Sequence, residues 1–354
     1  MTNTTIAKSR MGRACAAALA AATLLTGLTA CDSVAPKPQV DAAAAQKVML
    51  TEDKESEIRA QILKDIAAAD ESMDASGLAE RVSDPELSIR QSQLTTLKYL
   101  KTSYSQGDKD QKVSELQQLM EIPDSVRQTV LSKSTGWPRT AITITDNTDS
   151  MGAPRLLVID QSSARSNYQL WGVVRLFSGA QLPKFPVPSA GADQGTDGDT
   201  GLVATPKKAV EMYADVLANG ANSQYADQVN DDLLRQQIEQ LTNAVEQGVE
   251  ANKGTQKQTF APVAGQIRVM HAAGANGGAL VIAQIQSVWE RTGGEGRETR
   301  PASPSEAALF GSTSPTSTIH VTYSNVVALF VPAEGQGKIQ AVGAERQPIK
   351  VEAL

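Results

Sequence analysis

The spacing of hydrophobic residues changes period three times along this chain, and those changes constrain the fold more than any other feature. Between residues 51 and 103 apolar residues recur at helical intervals. Ile58, Ile62, Leu63 and Ile66 form one stripe, and Leu94, Leu97 and Leu100 continue the spacing in a second segment. From Ser125 the period drops to two. "SVRQTVLSKS", "GWPRTAITITD", "PRLLVIDQSS" and "NYQLWGVVRLFSG" read as four strands separated by turn residues. The pattern then repeats. Val210, Tyr213, Ala214 and Leu217 line one helix, and Leu233, Leu234, Ile238, Leu241 and Val245 line a second, expected over about 223–250. Four further strands follow in "KQTFAPVAGQIRVMHA", "GALVIAQIQSVWERT", "STIHVTYSNVVALFVPA" and "KIQAVGAERQPIKV". Helices first and an antiparallel sheet afterwards is the α+β arrangement.

Local signals place the helix starts. Thr51 precedes an acidic first turn, Thr205 precedes Pro206, and Ser83 with Glu86 three residues on has the form of a capping box. The stretch "PKFPVPSAGADQGTDGDTGLVATP" is rich in Pro, Gly and Asp without an apolar period, and reads as a linker. "GGEGRETRPASPSEAALFGSTSPT" reads as a long mobile loop. The expected organisation is therefore two tandem domains, 51–185 and 205–354, joined by a linker at 186–204. Each unit, helices followed by a curved antiparallel sheet, resembles the NTF2-like or cystatin-like cone; this likeness concerns fold and carries no function.

The N-terminus bears on location. Lys8, Arg10 and Arg13 form a positive region without acidic residues, followed by an apolar run from Ala14 to Leu28. That run is shorter than the roughly 20 residues a membrane span requires and has the form of a secretory signal. Leu28-Thr29-Ala30-Cys31 resembles the lipobox of bacterial lipoproteins. The resemblance implies removal of a signal peptide, residues 1–30, acylation of Cys31 with palmitate-type chains, and a tether over 31–50. Two or more acyl chains give stable attachment. The expected location is thus the extracytoplasmic face of the cell membrane. Cys15 would leave with the signal peptide and Cys31 would become the anchor, so the mature chain would hold no free thiol for a disulfide, a zinc site or nucleophilic catalysis. Loss of three cations lowers the net charge from −6 to −9, which argues against a nucleic-acid partner. Aromatic residues make up only 4% of the chain, which weakens any case for a carbohydrate-binding platform.

Three stretches taken together, "GWPRTAITITD", "PRLLVIDQSSARSNYQLWGVVRLFSGAQLPKF" and "GLVATPKKAVEMYADVLANG", resemble a family of uncharacterised exported bacterial lipoproteins of the high-GC Gram-positive type. The resemblance implies an envelope-anchored domain of unknown function and supplies no catalytic residue.

Chemistry-bearing motifs are sparse. The two histidines, His271 and His320, could share a metal with a carboxylate, but their positions fit unrelated sheet residues better. The sequence lacks H-E-x-x-H, a P-loop and a G-x-S-x-G elbow. Gly274, Gly277 and Gly278 precede a strand and not a helix, so they mark a hairpin. Asp193, Asp197 and Asp199 lack the glutamate an EF-hand requires and read as solvated. No cofactor or metal is expected. The richest cluster is Trp137, Arg139, Arg155, Arg165, Trp171 and Arg175, with Tyr168, on neighbouring strands. Alternation puts Trp171, Val173 and Arg175 on one face of their strand and Leu170, Val174 and Leu176 on the other. The cluster is either a packed seam built on cation–π contacts or a site for an anionic ligand or partner. The sequence points to a non-enzymatic, membrane-anchored binding module that meets an envelope protein or cell-wall component. The alternatives are a pocket enzyme of isomerase or hydrolase type, for which Asp215, Asp227, Asp231 and Glu290 are candidate acids, and a solute-binding lipoprotein.

Overall fold

The computed structural model describes residue 48 and residues 50–103, 106–133, 136–147, 153–274, 277–311 and 316–354. The signal peptide, Cys31 and nearly all of the tether lie outside the described residues. The fold is α+β. In chain order it runs α1 (Glu52–Ser72), α2 (Glu86–Ser103), α3 (Gln106–Met120), β1 (Val126–Leu131), β2 (Arg139–Thr145), β3 (Arg155–Gln161), β4 (Tyr168–Leu176), α4 (Pro206–Asn219), α5 (Leu233–Ala251), β5 (Thr255–His271), β6 (Ala279–Thr292), α6 (Pro304–Phe310), β7 (Thr318–Val331) and β8 (Gln340–Ala353). Among the described residues no helix is long and apolar enough to cross a membrane.

Caps start the helices where the sequence expects them at α1 and α4. Thr51 accepts from the Lys54 amide and Thr205 from the Lys208 amide, each at 3.3 Å. α5 starts ten residues later than its apolar spacing suggests. Short 3-10 turns occupy 220–222 and 226–228, and Asp232 caps the helix by accepting from the Arg235 amide. α2 also departs from expectation. Glu86 does not close a capping box; its carboxylate turns inward and accepts from the Val173 amide of β4 at 3.2 Å.

The eight strands make one antiparallel sheet in the order β1-β2-β3-β4-β8-β7-β6-β5. The two expected four-strand sheets are present as sequential meanders, but they are fused. β4 pairs with β8 through Arg175↔Ala344 and Leu176↔Gly343. Gly343 is required at this seam, because a Cβ there would lie 2.6 Å from the Arg175 carbonyl oxygen. All described residues belong to one compact unit.

The sheet curls strongly. β4 and β5 stand four strand spacings apart, roughly 19 Å in a flat sheet. Yet the Trp171 indole of β4 donates to Gln266 of β5 at 2.6 Å. Inside the curl lies an apolar core of Ile142, Val158, Trp171, Val174, Met270, Ile282 and Val326. The opposite face of β3 and β4 packs Leu157, Ile159, Leu170 and Val173 against Ile62 and Ile66 of α1 and Leu94 of α2. Both faces are covered, as a strand apolar on both sides requires. The second meander buries its other face under α4, with Val210, Tyr213 and Leu217 against Val281, Val327 and Leu329.

The segment read as a linker behaves as a strap. Ala192 pairs with Ser132 just beyond β1, and Gln194 pairs with Met270 of β5. The Ala192 amide donates to Leu131 O, and the Lys133 amide donates to Ala192 O. On the other side Gly195 N donates to Val269 O and His271 N to Asp193 O. A few residues thus bridge both free edges of the sheet. The expected mobile loop likewise carries a short helix, α6. Ser303 caps it, and its Glu306 is buried against Arg291, the Tyr323 hydroxyl at 2.6 Å and the Ala302 amide at 2.7 Å.

A Gly343→Val substitution should destabilise the fold by about 1–3 kcal/mol of overpacking strain or more and lower the melting temperature accordingly. Because the two meanders share this seam, the thermal transition should stay single and shift as a whole. A melt of the variant that resolves two transitions, or that matches the parent, would contradict the shared-sheet description.

Candidate functional site

Five of the six residues singled out in sequence divide among three places, and the sixth, Arg165, stands apart. A bulge decides the division. β3 and β4 are in register through Val158↔Gly172 and resume at Ile159↔Leu170, so Trp171 has no partner. One extra residue inverts the alternation. Leu170 and Val173 face the helices, while Trp171, Val174 and Leu176 face the inner core, which corrects the expected facing.

The first place is the inner core, where Trp171 is 2% exposed. Arg268 of β5 stacks over its ring at 4.6 Å and forms an ion pair with Asp160 of β3. Asp160 also accepts from the Thr140 hydroxyl at 2.7 Å. The second place is the seam below α2. Arg155 and Arg175 stand opposite each other across β3 and β4. Arg175 pairs with Glu345 of β8 at 3.4 Å, and Arg90 of α2 holds Asp70 at 3.2 Å and the Met120 carbonyl. Burial drives the Glu86 carboxyl up to about 8; Arg90 opposes the shift, and the nearby Glu345 adds to it. Glu345 is raised for the same reason, with Arg175 and Arg155 opposing. Arg165 belongs to neither place; it is exposed in the turn between β3 and β4.

The third place is open to solvent. Trp137 precedes β2 and is 39% exposed, and Arg139 stacks on its ring at 4.1 Å. Arg139 also hydrogen-bonds with Tyr168. Trp137 lines a cleft of about 440 Å³ whose wall includes Ser162, Gln194, Asp197, Gly265 and Arg268. The strap builds much of this wall. Gln194 donates to Pro138 O at 2.8 Å and accepts from the Thr140 amide. Behind Gly195, His271 meets Asp199 at 2.7 Å, and a Cβ on Gly195 would collide with both. Burial tends to raise the Asp199 carboxyl, but hydrogen bonds from Thr196 and His271 outweigh it and hold it below the usual value. Larger cavities of about 590 and 470 Å³ lie along α1 and beside Phe177.

The remaining sequence candidates do not converge. His320 pairs with Glu290 of β6 at 2.6 Å. His271 is in register with Ala279, and His320 with Glu290, so the two histidines lie about 35 Å apart along β6. Among the described residues no group of three metal-ligating side chains could hold an ion. Asp193 pairs with Lys133, while Asp199 serves the strap. Asp215 accepts from Asn219 and Ser223, and Asp227 and Asp231 are exposed. Buried acids that sequence reading missed include Glu55, Glu86, Asp232 and Glu306, with the nearly enclosed Glu345 beside Arg175. No family model, curated protein or solved structure matches the chain.

Glu86 makes a pH-dependent contribution of definite sign. Its folded value of about 8 lies above the ordinary 4.5, so the native state binds the proton more tightly. The stabilisation is complete below the ordinary value and is lost as pH rises through about 8. Glu86→Gln should flatten the pH dependence of the melting temperature across this window and gain most, relative to the parent, at its alkaline end. Parallel melting-temperature profiles for the two proteins would contradict this assignment.

Proposed function

We propose that the chain is an extracytoplasmic binding module, anchored to the cell membrane by lipid on Cys31, that holds an envelope component in the Trp137 cleft without performing chemistry on it. The observation that carries the reading is the exposure of Trp137. A large aromatic ring left in solvent, stiffened by Arg139 and lining a cleft, is what a recognition surface requires and what a packed core avoids. The N-terminal order of cations, apolar run and lipobox-like Leu28–Cys31 supports the location. It accords with the resemblance to exported lipoproteins drawn from the three sequence stretches above. The element order supports a finer reading too. Each half opens with helices and continues into four strands, interrupted in the second half by α6, and the strand order is palindromic about the β4–β8 seam, as expected of two NTF2-like or cystatin-like units joined edge to edge.

A second reading, a pocket enzyme, draws on one observation: the burial of Glu86, which pushes its carboxyl up to about 8. Buried carboxyls with raised values serve as acids in active sites. Glu86, however, lines none of the three cavities above, and its carboxylate is engaged by the Val173 amide.

Replacement of Cys31 by Ala should abolish metabolic incorporation of an alkyne fatty acid and release the chain from the membrane fraction. Continued labelling of the Cys31→Ala protein would end the lipid-anchor proposal. Photocrosslinking from position 162 in intact envelope should capture a component with the parent chain and not with Trp137→Ala.

A further inference from the structure

We infer that the Trp137 cleft takes a neutral saccharide chain. The inference rests on the binding-module reading and names its ligand class. Three observations lead to it. First, of the three tryptophans, Trp171 and Trp289 are buried and only Trp137 is exposed. The low aromatic content of the chain is therefore not the relevant measure; a saccharide platform needs one well-held ring. Arg139 holds this one, since a guanidinium stacked on an indole limits its freedom before any ligand arrives.

Second, the charges on the wall do not suit an anion. Arg268 is already matched by Asp160, and its Nη1 donates to Gly265 O and Ile267 O at 3.1 and 3.0 Å. Asp197 adds a carboxylate to the same wall, which would repel an anionic ligand. Arg268, the one cation among the residues that line the cleft, is thus neutralised by Asp160.

Third, the remaining polar groups are those that hydroxyls satisfy. Asp197 can accept from a sugar hydroxyl, and Ser162 can donate or accept, while the apolar C–H face of a pyranose ring covers the indole. The volume, about 440 Å³, falls within the range of sites that enclose small ligands, roughly 300–1,000 Å³. Backbone hydrogen bonds from Gly195 N to Val269 O and from His271 N to Asp193 O tie the strap side of the wall to β5 before any ligand arrives.

The test uses the full chain in detergent on an array of neutral gluco-, manno-, galacto- and arabino-oligosaccharides, with hexaglutamate and inorganic phosphate as anionic probes. The expected result is saturable binding to at least one neutral oligosaccharide. Trp137→Ala should weaken it about tenfold or more, as for a buried aromatic anchor, at an unchanged melting temperature. Trp137→Phe should recover part of the affinity. Absence of binding to every neutral probe, or binding insensitive to Trp137→Ala, would overturn the saccharide assignment. Binding of hexaglutamate or phosphate that is lost in Trp137→Ala would overturn it too, while leaving the binding-module reading intact. If Trp137→Ala also matches the parent in the envelope crosslinking experiment, both readings fail together.

Discussion

Backbone hydrogen bonds from residues 192–195 hold together the two edges of the sheet, and the rest of the architecture depends on them. An eight-stranded antiparallel sheet exposes a row of unpaired groups along β1 and another along β5. Curling brings those rows near one another without making them adjacent. The strap fills the gap, pairing with Ser132 on one side and Met270 on the other. With the edges tied, the inner core closes around Trp171, and Arg268 is brought from the eighth strand position to Asp160 in the third. The Trp137 cleft is a by-product of the same closure, since Gln194 reaches from the strap to Pro138 and Thr140.

What the sequence discloses and what it hides follow from range. The caps at Thr51 and Thr205 rest on contacts three residues away, and a local pattern is enough to locate them. The eight strands show in their alternation. The β4–β8 seam does not, because Arg175 and Ala344 meet for reasons of curvature and not of composition. The strap is hidden for a related reason. Its Pro, Gly and Asp content is what a linker would have, yet its backbone pairs on both sides. Trp171 illustrates a subtler limit. Strict alternation assigns it to the wrong face, and the single unpaired residue that reverses it leaves only Gly172 beside it as a clue. In β5, Pro262 and Gly265 within an alternating run are a stronger signal of a bulge, and they mark the place where Arg268 turns toward the cleft.

The buried charges were the least legible part of the chain. Arg175 shares a strand with Trp171 and Arg155 opens the preceding one, so a reading of the sequence groups both with it. Their counter-charge, Glu345, comes from a strand 170 residues further on. Glu86 resembles a capping residue in every local respect, and only the depth of α2 against β4 reveals it as an interior acid. Glu306 sits in a segment whose composition suggests mobility, yet its carboxylate fastens α6 to Arg291 and Tyr323. Such groups are costly to enclose singly and tolerable in company. Glu86 ties α2 to β4, Glu306 ties α6 to β6 and β7, and Arg175 with Glu345 joins the two meanders.

The strap also sets an order of events. Each meander is a run of sequential hairpins and can form from nearby residues, whereas the strap bonds and the β4–β8 seam join segments far apart in the chain, a slow class of contact. During that interval the outer strands of both meanders are open templates for any other extended chain. A molecule assembled this way is most vulnerable to aggregation after its secondary structure is complete and before 192–195 finds its place.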